Sequence, residues 1–436
     1  MQVSWPLGLP KNRFEIEAIQ SDRKRAAVKN ALSSPFMSER VSHIDIDNID
    51  DPNEWRKIPV LSKDELRALT TEQFYRDFCI GNAHGAVEFW RSGGATGKPL
   101  FYPRSQIDMD YMLGVAFRRI WSCIGAKSSD RVHVSFPMGI HPVGQLTPRS
   151  AEREGIGTIW AGAGTTTPSN VQLQLISELC PSIVAAMPSY ALHLANIAEI
   201  EGIDLASSSV SKLLVSAEPL TKAKREKLER LWGAHVFNSF GMTEGAMTAV
   251  ERVGIHGGMV AFEDLFYLEV IDSVSGAPVP EGEEGALVMT PLWSNTITPF
   301  IRWLTGDIVR MKYPTQNDDP FSVFPVLEHT LRTEGFFKVR GVNINHSDLE
   351  DFMFVRREIT DFQGEVVGTM GLDQLRILIE VRANEDLAGV INKLLEDIKN
   401  KFEVAAEVEI LETGTIAKEF EKRVKAPRFV DRRDRL

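Results

Sequence analysis

Ser182-Ile183-Val184-Ala185-Ala186-Met187, the run Tyr190 to Glu201, and Lys212-Leu213-Leu214-Val215-Ser216 read as strand, helix, strand. The same texture extends outward on both sides. Upstream, Arg131-Val132-His133-Val134-Ser135-Phe136 and Thr158-Ile159-Trp160-Ala161 are strands, and Val171 to Leu179 is a helix. Downstream, Thr221 to Trp232 is a charged amphipathic helix and His235-Val236-Phe237-Asn238 is a strand. Apolar strands alternating with helices of this length predict an α/β fold with mostly parallel sheets flanked by helices. In such folds ligands sit just beyond the carboxyl ends of strands. Three segments are expected there: Phe136 to Gly144, Ala217-Glu218-Pro219, and Ser239 to Glu244. Trp160 and Trp232 are expected in the core, given their places on a strand and an amphipathic helix.

Toward the N-terminus, residues 14–33 read as a polar helix with Phe14, Ile16, Ile19, Val28 and Leu32 as its apolar positions. Ser62-Lys63-Asp64-Glu65 is a capping box. Ser92-Gly93-Gly94-Ala95-Thr96-Gly97-Lys98-Pro99 combines small residues, a hydroxyl and a lysine. Small residues let backbone N–H groups approach an anion, and Thr96 and Lys98 can donate to phosphate oxygens. Ser92 and Pro99 stand where a P-loop needs Gly and Ser/Thr, so that motif fails twice. Read alone, the stretch is equally a surface loop. A helix, Asp108 to Ile124, follows it.

After residue 260 the texture is β-rich: Phe266 to Ile271, a turn at Asp272 to Gly276, and Ala286 to Thr290. Thr305-Gly306-Asp307 follows an aromatic run. Beyond the polar stretch Tyr313 to Pro320 lies a β-α-β-β-α-β order typical of a small α+β domain. Its parts are strand Phe336 to Val342, helix Leu349 to Val355 and strands near Val366 and Leu375 to Val381. Helix Leu387 to Phe402 and strand Glu407 to Leu411 complete it. Ser347 is expected to cap the first of those helices, with Glu350 three residues on. The reading is a large N-terminal domain, 1–331, with a β-rich subdomain, and a small C-terminal domain, 332–436.

With 436 residues, 43% hydrophobic and 25% charged, the composition is that of a soluble globular protein. A formal net charge of −11 argues against a nucleic-acid binder. Cys79, Cys123 and Cys180 are odd in number and far apart, which predicts no disulfide framework and a reducing cytoplasm. Met1 to Pro6 lacks a charged region followed by an apolar one, and no apolar run approaches a membrane span. Nine histidines never cluster at zinc-ligand spacing.

Taken together, the motifs resemble those of the adenylate-forming superfamily, and within it the phenylacetate–CoA ligase family. The loop at 92–99 is similar to the family's phosphate loop ending Thr-Gly-Lys-Pro. Ala217-Glu218-Pro219 resembles the segment that lines the adenine, and Phe240-Gly241-Met242-Thr243-Glu244 the aromatic-Gly-x-Thr-Glu motif. Glu263-Asp264 and Thr305-Gly306-Asp307 also fit, as do Arg332 and Arg340-Gly341-Val342-Asn343 and the stretch Met187-Pro188-Ser189-Tyr190.

The resemblance implies ATP-dependent activation of an aromatic or arylacetic acid to an acyl-adenylate, then transfer to coenzyme A. It assigns nucleotide contacts to Ser92, Gly94, Thr96, Gly97, Lys98, Ala217, Glu218, Pro219, Asn238, Ser239, Phe240, Gly241, Met242, Asp307 and Arg332. Glu244 would carry Mg2+, and Thr243 would bond the α-phosphate. Phe136, Met138, His141 and Gly144 would border the acid, although His141 is equally a satisfied loop histidine. A tail lysine, Lys425 with Lys422 as its rival, would meet the α-phosphate as charge develops. The C-terminal domain would rotate near Arg332 to Gly335 between the two steps. The family also implies a homodimer.

This copy departs from the family pattern. Gly93 and Ala95 replace hydroxyls, Leu331 replaces Gly before the hinge arginine, Gly335 replaces an acid, and Val424 precedes Lys425. Each lost hydroxyl is a lost donor worth ~1 kcal/mol. Two rival functions stay open: transfer to a carrier-protein thiol or an amine, and a degenerate homologue that binds nucleotide without chemistry.

Overall fold

Asn12 begins the first helix of the computed structural model, its side chain accepting from the Glu15 amide, and α1 runs Arg13–Ala31. The description covers residues 8–92, 99–254, 258–314, 319–332, 336–369, 372–383, 385–416, 418 and 428–433. Ile16 and Val28 of α1 are fully buried, but Phe14 is 78% and Leu32 39% exposed, so the apolar face is narrower than the sequence suggests. The capping box at Ser62 forms as expected and opens α2 (Lys63–Arg67). Strands β1 (Ala86–Arg91) and β2 (Phe101–Ser105) pair as an antiparallel hairpin. Helix α3 (Gln106–Tyr111) passes through a π-helical turn at Met112–Ala116 into α4 (Phe117–Cys123).

The alternating region follows as β3 (Arg131–Val134), α5 (Pro142–Arg153), β4 (Gly157–Trp160), α6 (Ser169–Leu179) and β5 (Ile183–Ala186). It continues as α7 (Pro188–Ile200), β6 (Lys212–Val215), α8 (Lys222–Trp232) and β7 (His235–Met242). Strands β8 (Ala246–Val250), β9 (Met259–Ala261), β10 (Phe266–Ile271), β11 (Glu284–Pro291), β12 (Trp303–Lys312) and β13 (Val326–Arg332) form the β-rich part. The remainder is β14 (Phe336–Val339), β15 (Val342–Asn345), α9 (His346–Phe354), β16 (Ile359–Thr369), β17 (Leu372–Val381), α10 (Leu387–Phe402), β18 (Ala406–Leu411) and β19 (Phe429–Asp431).

Two compact units result. The first comprises Met1–Asp130, Met138–Thr158 and Phe237–Thr333. Within it β7, β8, β9, β13, β12, β11 and β10 pair in that order, all antiparallel. The second comprises Arg131–Pro137, Ile159–Val236 and Glu334–Leu436. There β3, β5 and β6 pair in parallel, as the strand–helix alternation requires. A four-stranded sheet, β18-β17-β16-β19, carries the C-terminal residues of that unit.

Four local expectations are corrected. The strand from His235 runs on through Met242, because β8 pairs with residues 239–242 and prolongs it. Phe336 to Val342 is two strands, joined by a turn at Arg340 (φ 49°) and Gly341 (φ 87°) with Val339 opposite Val342. Positive φ at both central residues is the two-residue hairpin geometry that suits strand twist. The cap of α9 is Asn345, whose side chain accepts from the Ser347 amide at 2.8 Å, rather than Ser347 itself. Trp232 is fully buried, but Trp160 is 43% exposed. Among the described residues no helix is long and apolar enough to cross a membrane.

Helix α8 anchors the C-terminal residues within the second unit. Lys227 is buried and donates to Ile359 O (3.0 Å) and Thr360 O (2.7 Å). Lys224 pairs with Glu350 at 2.7 Å, and the Ala223 amide donates to Asp351 at 2.9 Å. Burial pushes the Lys227 amine down to about 8 from an ordinary 10.5. The unfolded chain therefore binds more protons between these values, and the penalty is complete below the folded value. Stability should rise as pH climbs from 8 toward 10.5. In urea titrations across that window, Lys227→Met should show a flatter rise than wild type. Parallel slopes would count against a depressed Lys227.

Candidate active site

In the first unit, Thr243 and Glu244 sit in the turn between β7 and β8. Asn238 to Met242 lie on β7 itself rather than beyond its end. Gly241 must be glycine here. A Cβ would stand 2.6 Å from Met247 Sδ and 2.7 Å from Ala246 O, the second a backbone atom. Gly241→Ala should therefore cost about 1–3 kcal/mol of stability through overpacking. A thermal melt unchanged from wild type would contradict that close approach.

The Glu244 residue is 4% exposed and held from both ends. Its carbonyl accepts from Asn295 Nδ2 (2.7 Å) and Arg104 Nη2 (3.3 Å). Arg104 is fully buried, and its Nη2 also donates to Thr243 O at 2.6 Å while Nη1 donates to Thr298 Oγ1 at 2.8 Å. The carboxylate accepts from Tyr102 Oη at 2.9 Å and lies 3.3 Å from Lys63 Nζ. Burial and the Glu244 charge push the Tyr102 phenol well above its ordinary range, so it stays protonated and donates. Tyr102 and Arg104 project from β2 toward the same turn because they are two apart on one strand. Lys63 arrives from α2.

The base of the 92–99 loop is also defined. Ser92 N donates to Leu100 O at 2.8 Å, and Ser92 Oγ accepts from Leu100 N at 3.1 Å. Gly94, Thr96, Gly97 and Lys98 lie outside the described residues. So do Lys422 and Lys425, and so does the side chain of Arg332.

Asp307 lies on β12, opposite Arg332 of β13 in the backbone register. Its amide donates to Thr305 Oγ1 at 3.1 Å, and its Oδ1 is 2.8 Å from His329 Nε2. The Phe240 ring is 5.8 Å from the His329 ring, centroid to centroid. Glu263 and Asp264 are engaged elsewhere. Glu263 is paired with Arg13 and accepts from Tyr313 Oη at 2.9 Å. Asp264 takes a two-armed contact from Arg119 at 2.6 and 2.7 Å. Both acids are buried structural partners in this unit. Met138, His141 and Gly144 also belong to it, with His141 at the start of α5.

In the second unit, Ala217 follows β6 with φ 71°, a left-handed conformation that costs a non-glycine residue about 1–3 kcal/mol. The turn aims Glu218 back at α7. Glu218 accepts from the Ser189 amide at 3.0 Å and from Ser189 Oγ at 2.7 Å, so its carboxylate caps that helix. The Pro219 carbonyl accepts from Lys224 Nζ at 3.3 Å. Phe136, just past β3, is 1% exposed.

Sequence reasoning named Glu244 and Asp307 but missed Tyr102, Arg104, Asn295 and His329. It saw Lys63 as part of a cap and Ser189 as part of a linking stretch. No spacing rule ties these residues to the acids they touch, since each pair is brought together by tertiary contact.

The family model for "AMP-binding enzyme" matches residues 93–291, which take in most of the 92–99 stretch and the β7–β8 turn. The phenylacetate-coenzyme A ligase of Pseudomonas putida is 28% identical over 422 residues, 93% of this chain and 93% of its own. That of Escherichia coli (strain K12) is 28% identical over 417 residues, 92% of each. The crystal structure of 2-hydroxyisobutyryl-CoA ligase in the postadenylation state in complex with 2-HIB-AMP matches with a TM-score of 0.84. It covers 99% of this chain and 92% of that one at 22% identity, a likeness of fold. The chain therefore carries an AMP-binding enzyme domain over residues 93–291, and its similarity to phenylacetate-coenzyme A ligases along more than nine-tenths of its length indicates an AMP-forming acid–CoA ligase.

Proposed function

We propose that the acid activated is aromatic or arylacetic. The reading is supported by the similarity to two phenylacetate-coenzyme A ligases over more than nine-tenths of this chain.

In the first step a carboxylate oxygen attacks the α-phosphorus of ATP, the bond to the β-phosphate bridging oxygen breaks, and pyrophosphate leaves. In the second, the coenzyme A thiol attacks the acyl carbon, loses its proton, and AMP leaves. Protein groups position and neutralise rather than bond covalently. Lys98 and the amides of its loop hold the terminal phosphates. Thr243 bonds an α-phosphate oxygen, and Arg104 fixes the main chain that carries it. Asp307 accepts from the ribose hydroxyls, with Arg332 beside it in register. Lys425, or its rival Lys422, meets the charge that builds on the α-phosphate.

Mg2+ fits the donor set at Glu244. That ion takes one or two protein carboxylates and completes its shell with water and phosphate oxygens. Among the described residues no group of three or more His, Cys, Asp or Glu is placed to hold a metal ion. The lone buried Glu244 carboxylate matches a site shared with phosphate, where bound Mg2+ would neutralise phosphate charge. Tyr102 and Lys63 keep that carboxylate in place.

The test is a panel of aromatic, arylacetic and short aliphatic acids with ATP, Mg2+ and coenzyme A. Formation of AMP and acyl-CoA with an aromatic or arylacetic acid is expected. Turnover confined to aliphatic acids would overturn the substrate class. AMP without acyl-CoA would favour a carrier-protein or amine acceptor, and no pyrophosphate–ATP exchange with any acid would favour a degenerate homologue.

A further inference from the structure

Strict alternation along β13 would place His329 and Arg332 on opposite faces, because three positions is an odd step. The register breaks instead. Asp307 faces Arg332 and Ile308 faces Leu331, but Val309 faces His329. Thr330 is the extra residue, and its Oγ1 donates to Ile308 O at 3.1 Å. A bulge of this kind re-aims the side chain beside it. Val309 and Asp307 are two apart on β12, so their side chains share a face, and His329 now shares it too. The outcome is the 2.8 Å contact between His329 Nε2 and Asp307 Oδ1. The Asp307 side chain is 5% exposed and that of His329 18%, so the bond is largely shielded from water.

We propose that His329 is a positioning residue for nucleotide binding: held on the face of Asp307 by the bulge, it fixes the plane of the carboxylate that receives the ribose hydroxyls. This rests on the reading of Asp307 as the ribose ligand. The terminal torsion of an aspartate is broad, so an untethered carboxylate samples planes that do not meet the sugar. Locking the plane before ATP arrives avoids that ordering cost on binding. The effect belongs to nucleotide affinity and not to the chemical step, because the sugar hydroxyls are bound alike before and during phosphorus attack.

Isothermal titration of the full chain with ATP and with 2′,3′-dideoxy-ATP tests this. His329→Ala should weaken ATP binding about tenfold, the value of one hydrogen bond to a charged group. Its affinity for dideoxy-ATP should stay within about twofold of wild type, because the hydroxyls that feel Asp307 are gone. His329→Gln, which keeps a donor, should recover most of the ATP affinity. His329→Leu repeats the test if the alanine variant does not fold. Equal weakening of both nucleotides would mean a packing role and would overturn the proposal, as would unchanged ATP affinity. Asp307→Ala separates the two readings. If it binds ATP as wild type does, the ribose assignment falls. If it binds weakly while His329→Ala does not, the positioning role alone falls.

Discussion

Arg104→Met is expected to lose about 3–5 kcal/mol of unfolding free energy and to slow adenylation by on the order of 10²-fold. The guanidinium is fully buried, and burial pulls its pKa below the ordinary arginine value. Its stem and charge lie beside aromatic rings, 4.9 Å from the Trp90 centroid and 5.9 Å from that of Tyr102. Three acceptors depend on it differently. Thr298 Oγ1 keeps a bond to Asn295 Oδ1 at 3.2 Å, and Glu244 O keeps Asn295 Nδ2. Thr243 O would lose the 2.6 Å bond from Arg104. The stability loss therefore comes from the desolvated Thr243 carbonyl left without its donor and from lost packing of the buried side chain, and the activity loss from a displaced Thr243–Glu244 turn. Arg104→Lys separates them. A lysine keeps the charge but lacks the planar fork, so it should regain more stability than activity. Urea titration read beside pyrophosphate–ATP exchange reports both. Wild-type values in both measurements for the methionine variant would show that the turn stands without the arginine.

Arg428→Met should be nearly as costly, at about 3–5 kcal/mol, because it strips the buried Asp361 carboxylate of its paired cation and leaves Glu350 with Lys224 alone. The Arg428 side chain is 9% exposed, and Nη1 donates to Asp361 Oδ1 and to Phe362 O, each at 2.5 Å. Its Nε lies 3.5 Å from Glu350 Oε1. Burial alone would lower the arginine pKa, yet Asp361 and Glu350 outweigh it and hold the group above its ordinary value. Arg433 is a built-in control. It pairs with Asp373 and Asp431 at 2.9 and 2.6 Å, but its partners are 36% and 31% exposed. Its acids regain water when it is removed, so Arg433→Met should cost less than about 1 kcal/mol. Equal losses from the two variants, measured by urea titration, would refute a distinction based on desolvation.

Much of the architecture was legible because it is local. Continuous apolar strands near 183 and 213, the Ser62 box and helix Leu387–Phe402 are set by neighbours in sequence. Errors gathered where a distant partner decides. β7 continues past Asn238 because β8 returns beside it. Trp160 reads as core from its place on a strand, but β4 ends its sheet, and an edge strand is less fully covered. The hairpin at Arg340–Gly341 asks a non-glycine residue for positive φ, which composition does not announce. The site divides in the same way. Glu244 and Asp307 stood out by motif, whereas Arg104 and Asn295 act through backbone carbonyls, which carry no residue preference. His329 was hidden by parity: counting by twos along β13 sends it away from Asp307, and one inserted residue brings it back.

The Glu218 carboxylate and the first turn of α7 form one unit, joined through both the amide and the hydroxyl of Ser189. A purine bound at the segment 217–219 would therefore be met by main-chain atoms, because the Glu218 carboxylate is already engaged by Ser189. Across the lineage, drift at one of these two positions should be tracked by drift at the other. Relatives that abandon the acid should abandon the serine as well, and a chimera that exchanges one without the other should lose order in α7 before it loses preference for adenine.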